Sequence, residues 1–163
     1  MTDKEFFTDA IRTCEGKMYL LAIGIVQNEA DAADIMQDAI LKAYCNLDQL
    51  RNRHTFQPWI LSIVHNTAIE FLRKRRDTLD IDSQYDLTDV PPGVDPATKL
   101  TVWAAIQQLN QPYRSVIILF YYDNYSVQQI AQITSSSAVT VRQQLSRGRK
   151  MLSRLLNKED FDQ

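Results

Sequence analysis

"SVQQIAQITSSSAVTVRQQLSRGRK", residues 126–150, carries two helix signals on either side of a short break. Ser126 followed three residues later by Gln129 has the pattern of a capping box, which predicts a short helix over 126–133. The run from Thr134 to Ser137 interrupts it. Ser136 or Ser137 can then cap the free N–H groups of a second helix over 137–156. That helix has Val141, Leu145, Leu152 and Leu155/Leu156 as its apolar positions, with Thr140, Arg142, Gln143, Ser146, Arg147 and Arg149 around the remaining surface. A short helix, a tight turn and a polar-basic second helix make a helix-turn-helix. Arg can donate two hydrogen bonds to guanine, Gln can pair with adenine, and Ser or Thr can serve bases or phosphates. Arg149, Lys150 and Arg154 suit phosphate contact or simple solvation. A basic amphipathic helix with a merely solvated face has much the same composition, so the rest of the chain must discriminate.

Charge distribution does part of that work. The net charge is only −2 over 163 residues, but it is unevenly placed. Residues 1–50 hold four basic and nine acidic side chains, 51–76 six basic and one acidic, 77–96 six Asp and no cation, and 97–163 eight basic and four acidic. Two basic segments separated by an acidic strip imply two anion-facing surfaces rather than one mixed surface. The strip, "DTLDIDSQYDLTDVPPGVDP" at 77–96, has no helical or strand period, and its prolines oppose helix, so it reads as a flexible acidic linker. The expected organisation is therefore all-α: a module at 1–76, the linker at 77–96, and a module at 97–163.

Helical spacing fills in both modules. In the first, helices are predicted over 4–26, across "NEADAADIMQDAILKAYCNL" at 28–47, and over 57–76. In the second, helices over 97–109 and 113–122 precede the helix-turn-helix. The helix within 28–47 buries Ala32, Ile35/Met36, Ala39/Ile40, Ala43 and Leu47, leaving Asp31, Asp34 and Asp38 on the opposite side. That acidic face is either solvated or a dock for a basic partner. "LRNRHTFQPW" at 50–59 is a basic loop with Phe56 and Trp59 at its far end. The helix after it shows a polar stripe of Ser62, His65/Asn66, Ile69, Arg73 and Arg76. Aromatic rings, amide side chains and cations together suit unstacked bases and their phosphates. Core packing is the competing reading for Phe56 and the preferred one for Trp59.

Other classes are disfavoured. The apolar run "MYLLAIGIV" at 18–26 is too short to span a bilayer, and the N-terminus lacks a signal-peptide pattern. Cys14 and Cys45 fit two thiols in a reducing cytosol. His54 and His65 have no metal-ligand spacing, and no nucleophile or phosphate-loop motif occurs. The chain is expected to be non-enzymatic, with no cofactor, metal or small-molecule substrate.

Taken together, "DAADIMQDAILKAYCNLDQLR", "FQPWILSIVHNTAIEFLRKRR" and "SVQQIAQITSSSAVTVRQQLSRGRKML" resemble an extracytoplasmic-function (ECF) sigma factor. The resemblance implies a bacterial promoter-specificity subunit with two domains. It implies polymerase docking through Asp34, Gln37, Asp38 and Leu41. It implies opening of the −10 element and capture of a nontemplate base by Arg51, Asn52, Arg53, His54, Thr55 and Phe56, backed by His65, Asn66, Arg73 and Arg76. For the −35 duplex it implies Arg114, Ser137, Thr140, Arg142, Gln143, Ser146, Arg147 and Arg149. Partners implied are core RNA polymerase, promoter DNA and an anti-sigma factor, soluble or membrane-bound, with the chain in the bacterial cytoplasm. Two departures stand out. Thr134, Ser135 and Ser136 replace the family's Leu-Gly-Ile-type turn, and Gln128 and Gln129 stand where acidic residues are common. The alternative reading is a stand-alone helix-turn-helix regulator that binds duplex DNA; an interaction adaptor without DNA binding is a third.

Overall fold

The computed structural model describes residues 2–79 and 101–161, and these form seven α-helices without a strand. Helix α1 (Asp3–Val26) starts with a full capping box: the Thr2 hydroxyl accepts from the Glu5 N–H at 3.2 Å, and the Glu5 carboxylate accepts from the Thr2 N–H at 3.0 Å. It stops at Gln27, whose left-handed backbone (φ 60°) turns the chain directly into the Asn28 cap of α2 (Glu29–Cys45). Two 3-10 turns, Leu47–Gln49 and Arg53–Thr55, lead to α3 (Phe56–Leu79). These three helices pack on one another around Met18, Leu21, Ile35, Ile60 and Val64, all essentially buried. Helices α4 (Val102–Gln107), α5 (Tyr113–Tyr121), α6 (Val127–Thr134) and α7 (Ala138–Phe161) follow. The predicted stretch 97–100 and most of the predicted linker lie outside the described residues.

The two helical groups are not separate in this structure. Helix α5 packs on α1 and α6 packs on α3, and a single hydrophobic cluster runs through both groups. The cause is visible in α1. Its second half buries Leu21, Ala22, Gly24, Ile25 and Val26 in near-continuous succession, so it is apolar around most of its circumference. A three-helix group alone would leave part of that surface wet. Helix α5 has the same character, with every residue from Arg114 to Leu119 buried, and it lies between α1 and α7.

Gly24 permits the close approach. A Cβ there would collide with the Cδ1 of Ile118 on α5 and touch Trp103 at 3.6 Å. At the rim, the Gln27 amide donates to the Gln107 carbonyl at 2.7 Å and the Tyr125 hydroxyl donates to Gln57 at 3.2 Å.

Asp123, between α5 and α6, is only 2% exposed, and its Oδ2 has no hydrogen-bond partner among the described residues. Burial pushes its pKa up from 3.8 to about 7, with the Lys17 ammonium of α1 pulling the other way. The folded chain therefore prefers the protonated acid. Its contribution to stability is fully present below the unfolded value and is lost as pH rises through about 7. Asp123→Asn is expected to raise the melting temperature more at pH 8 than at pH 5.5. Parallel pH profiles for the two proteins would show that this carboxyl does not set the dependence.

Candidate nucleic-acid interface

The helix-turn-helix is built by its serines. Ser135 takes the left-handed conformation (φ 56°), and the Ser136 N–H donates to the Ala131 carbonyl at 2.9 Å, closing the end of α6. The Ser137 hydroxyl then accepts from the Thr140 N–H at 3.1 Å and donates to the Thr140 hydroxyl at 2.8 Å. Of the two candidate caps, Ser137 is the one that starts α7, and the turn forms without a glycine. A non-glycine residue in this conformation is disfavoured by Cβ crowding, while glycine carries more unfolded-state entropy. Ser135→Gly is expected to stabilise the chain by about 0.5–1 kcal/mol, the strain relief outweighing that entropy. Denaturant unfolding checks this, and a destabilised variant would show that the serine is unstrained.

Helix α7 buries Val141, Leu145 and Gly148 toward α5 and α6, and turns Arg142, Gln143, Ser146, Arg147 and Lys150 outward. The spacing of these five places them on one face. Arg142, Gln143, Ser146 and Arg147 make no hydrogen bond or ion pair among the described residues. Arg149 is different. Its Nε donates to the Tyr121 hydroxyl at 2.6 Å, and its guanidinium lies 5.2 Å from the Phe120 ring and 5.7 Å from the Tyr121 ring. It braces α7 against α5 while remaining at the surface.

Arg114 does not lie on that face. It is buried, and its guanidinium donates to three carbonyls: Gly24 at 2.6 Å, Ile25 at 2.6 Å and Leu109 at 3.0 Å. Burial pulls its pKa down to about 10, which leaves it charged at neutral pH. In this packed arrangement Arg114 cannot reach a phosphate, which corrects the expectation from sequence.

The second basic surface comes from the loop before α3 and from α3 itself. Arg51, Asn52, Arg53, His54 and Thr55 are exposed. Asn52 organises the loop, its side chain accepting from the His54 N–H at 2.9 Å and its carbonyl accepting from the Thr55 hydroxyl at 2.7 Å. Arg53 pairs with Asp3 at 2.9 Å and lies 4.4 Å from the Phe6 ring, which ties the loop to the start of α1. Phe56 is the second correction. It is 3% exposed and packs edge-on against Phe6 and Phe7, so it supports the loop from inside and cannot stack on a base. On α3, Asn66, Arg73 and Arg76 are exposed on one face. His65 is half-buried, and burial lowers its pKa, which favours the neutral ring.

A third surface lies on α2. Asp34, Gln37, Asp38 and Leu41 are all exposed, Leu41 at 63%. Tyr44, one turn further and 50% exposed, extends the ridge. Sequence reading passed over it, although i+3 spacing from Leu41 carries the signal. Asp31, at the start of the same helix, is instead held by Arg75 of α3 at 2.7 Å. Among the described residues no cluster of three or more His, Cys, Asp or Glu could hold a metal ion, and no helix is long and apolar enough to cross a membrane.

Comparison with known proteins covers both helical groups. The family model "Sigma-70 region 2" matches residues 10–78, and "Sigma-70, region 4" matches residues 99–152. The chain is similar to the RNA polymerase sigma factor SigV of Bacillus subtilis, 32% identical over 161 residues that span 98% of this chain and 96% of that one. It is 29% identical to the ECF RNA polymerase sigma factor SigW of the same organism, over 94% of this chain and 90% of that one. Among solved structures, the sigma factor RpoE bound to the anti-sigma factor NepR from Bartonella quintana superposes with a TM-score of 0.76 at 23% identity, covering 93% of this chain and 96% of that one. CnrH bound to the cytosolic domain of CnrY superposes at 0.68 and 21% identity, over 93% of this chain and 88% of that one. At those identities the superpositions speak for the fold.

Proposed function

Because this chain belongs to the sigma-70 family of RNA polymerase sigma factors, in its ECF group, we propose residue roles for the steps by which it directs core polymerase to promoters. The residues at 1–76 act as the −10 module and those at 97–163 as the −35 module. The exposed α7 stripe of Arg142, Gln143, Ser146 and Arg147, with Thr140 beside it, reads the −35 duplex, and Lys150 contacts phosphate. The loop cations together with Asn66, Arg73 and Arg76 open the −10 element and hold its nontemplate strand. The acidic-apolar ridge of Asp34, Gln37, Asp38 and Leu41 docks on core polymerase. The single observation that carries this reading is the pairing of two exposed basic stripes of different chemistry with a separate acidic-apolar ridge. A duplex-binding regulator needs only the first stripe.

We place the chain in the bacterial cytoplasm, as a non-enzymatic factor under the control of an anti-sigma protein. The NepR and CnrY complexes of its structural neighbours support that partner class. Reconstituted transcription tests the function: core polymerase plus this protein is expected to start at specific sites that core alone ignores. Tight sequence-specific binding by the free chain, with no gain in initiation, would favour the regulator reading. Within the sigma mechanism, Asn66→Ala is expected to weaken promoter opening by about tenfold, read by permanganate reactivity of unpaired thymines, while −35 binding is kept. Unchanged opening would remove Asn66 from strand capture.

A further inference from the structure

One side chain of α7 breaks the division between a buried apolar face and an outer polar one. Val139 is 60% exposed, and among the described residues it is the one exposed large hydrophobic on this helix. It precedes the buried Gly148 by about two and a half turns, so it stands on the side away from α5 and α6. It precedes Lys150 by about three turns and so lies in line with it. That places Val139 in the middle of the outer stripe, with Arg142 and Ser146 to one side and Gln143 and Arg147 to the other. Folding gives no reason for a valine there. A β-branched residue is a poorer helix former than alanine or a straight-chain side chain, and at this exposure little of it is buried. Single exposed apolar residues are ordinary on a protein surface, so the position of this one is what carries meaning.

Val139 is the second residue of α7, and a recognition helix points its N-terminal residues at base edges. The hydroxyls that flank it are tied into the cap. Ser137 accepts from the Thr140 N–H at 3.1 Å and donates to the Thr140 hydroxyl at 2.8 Å. The isopropyl group therefore projects between two side chains that hold each other. In the major groove of DNA one apolar group is on offer, the C5-methyl of thymine. Guanine, adenine and cytosine present edges of donors and acceptors there. A valine set against such an edge removes its water and returns no hydrogen bond. The side chain thus selects in two ways, by attraction to one base and by a penalty on the other three.

We propose that Val139 reads a base by packing on a thymine methyl in the −35 element, so that promoters of this factor carry an A·T pair where the N-terminal end of α7 meets the groove. This deepens the sigma reading above and rests on it. The polar residues around Val139 take hydrogen-bonding edges, and Val139 takes the methyl between them. An apolar contact of this kind releases no counterions, so it changes affinity without changing the salt slope, which separates it from any phosphate contact on the same face.

The test uses the full chain with core polymerase and linear promoter duplexes randomised across the −35 region. The wild-type complex is expected to enrich sequences with thymine at one fixed position. Val139→Ala is expected to lose that preference and keep the others. Replacing the selected thymine by deoxyuridine then removes the methyl alone. It is expected to weaken binding by the wild-type complex about three- to fivefold, the worth of one buried methyl group, and by the Val139→Ala complex less than about 1.5-fold. The salt slope is expected to stay the same in all four combinations. A deoxyuridine penalty equal in the two proteins overturns the proposal, as does a wild-type selection without a preferred thymine, and both leave the sigma reading standing. A polymerase complex that enriches no −35 sequence at all overturns the sigma reading, and the proposal with it.

Discussion

Replacing Arg114 by methionine is expected to lower the melting temperature and to split one unfolding transition into two. In the native chain a single buried cluster joins both helical groups, so their unfolding is coupled. Methionine fills part of the volume but satisfies none of the three carbonyls that Arg114 holds. Each orphaned buried acceptor costs about 1–3 kcal/mol, and removal of a desolvated cation gives some of that back. A net loss of about 2–4 kcal/mol follows, which at this chain length lowers the midpoint by about 5–15 °C. The loss falls on the interface, so the groups around α1–α3 and α4–α7 melt independently once it is gone. Arg114→Lys is not expected to rescue, because one ammonium cannot reach three carbonyls held by a planar fork. Scanning calorimetry of the full chain reads both effects. A single transition at the wild-type temperature would make Arg114 a peripheral contact.

The same residue shows where sequence reading stops. All seven helices were legible, because apolar spacing, the Ser126–Gln129 box and the serine break are local signals, and observed ends depart from expected ones by a few residues in most cases. Helix α4 is shorter than expected, starting only at Val102 behind its Thr101 cap. Arg114 was misplaced because a lone arginine reads as surface by default, and the groups that bury it sit about 90 residues away in sequence. The counterpart signal lay in α1: an apolar run around most of the helix and a last turn without a cation, both of which ask for a partner from elsewhere. Phe56 was misread for a different reason. Its position extends the buried series Ile60, Val64, Thr67 back by one helical turn, but the basic loop before it drew the residue into the candidate site. The α7 stripe was legible because exposed residues answer to local periodicity alone. Gln27 and Ser135, both in left-handed conformations, end α1 and α6 without the glycine that would have announced them.

Arg142→Ala with Arg147→Ala is expected to lower promoter binding by the polymerase complex on the order of 10²–10³-fold, the largest functional effect of any pair on this surface. Each side chain projects from the exposed stripe of α7 with no partner among the described residues, so truncation leaves the fold intact and removes only what DNA would have received. A bidentate contact to guanine contributes about 1–3 kcal/mol, and two such contacts at separate base pairs add. Base readout and phosphate contact predict different patterns. Loss of a base contact relaxes preference at one −35 position, whereas loss of a phosphate contact weakens all promoters alike and lowers the salt slope by about one. Arg149 supplies the internal control. Tied to Tyr121 and lying against Phe120, it should on truncation lower stability while leaving base preference unchanged. Affinities measured across a set of −35 point variants, for Arg142→Ala, Arg147→Ala and Arg149→Ala in the full chain, separate the three roles. Uniform weakening by Arg142→Ala and Arg147→Ala would reassign both arginines to phosphate and leave base reading to Gln143 and Ser146.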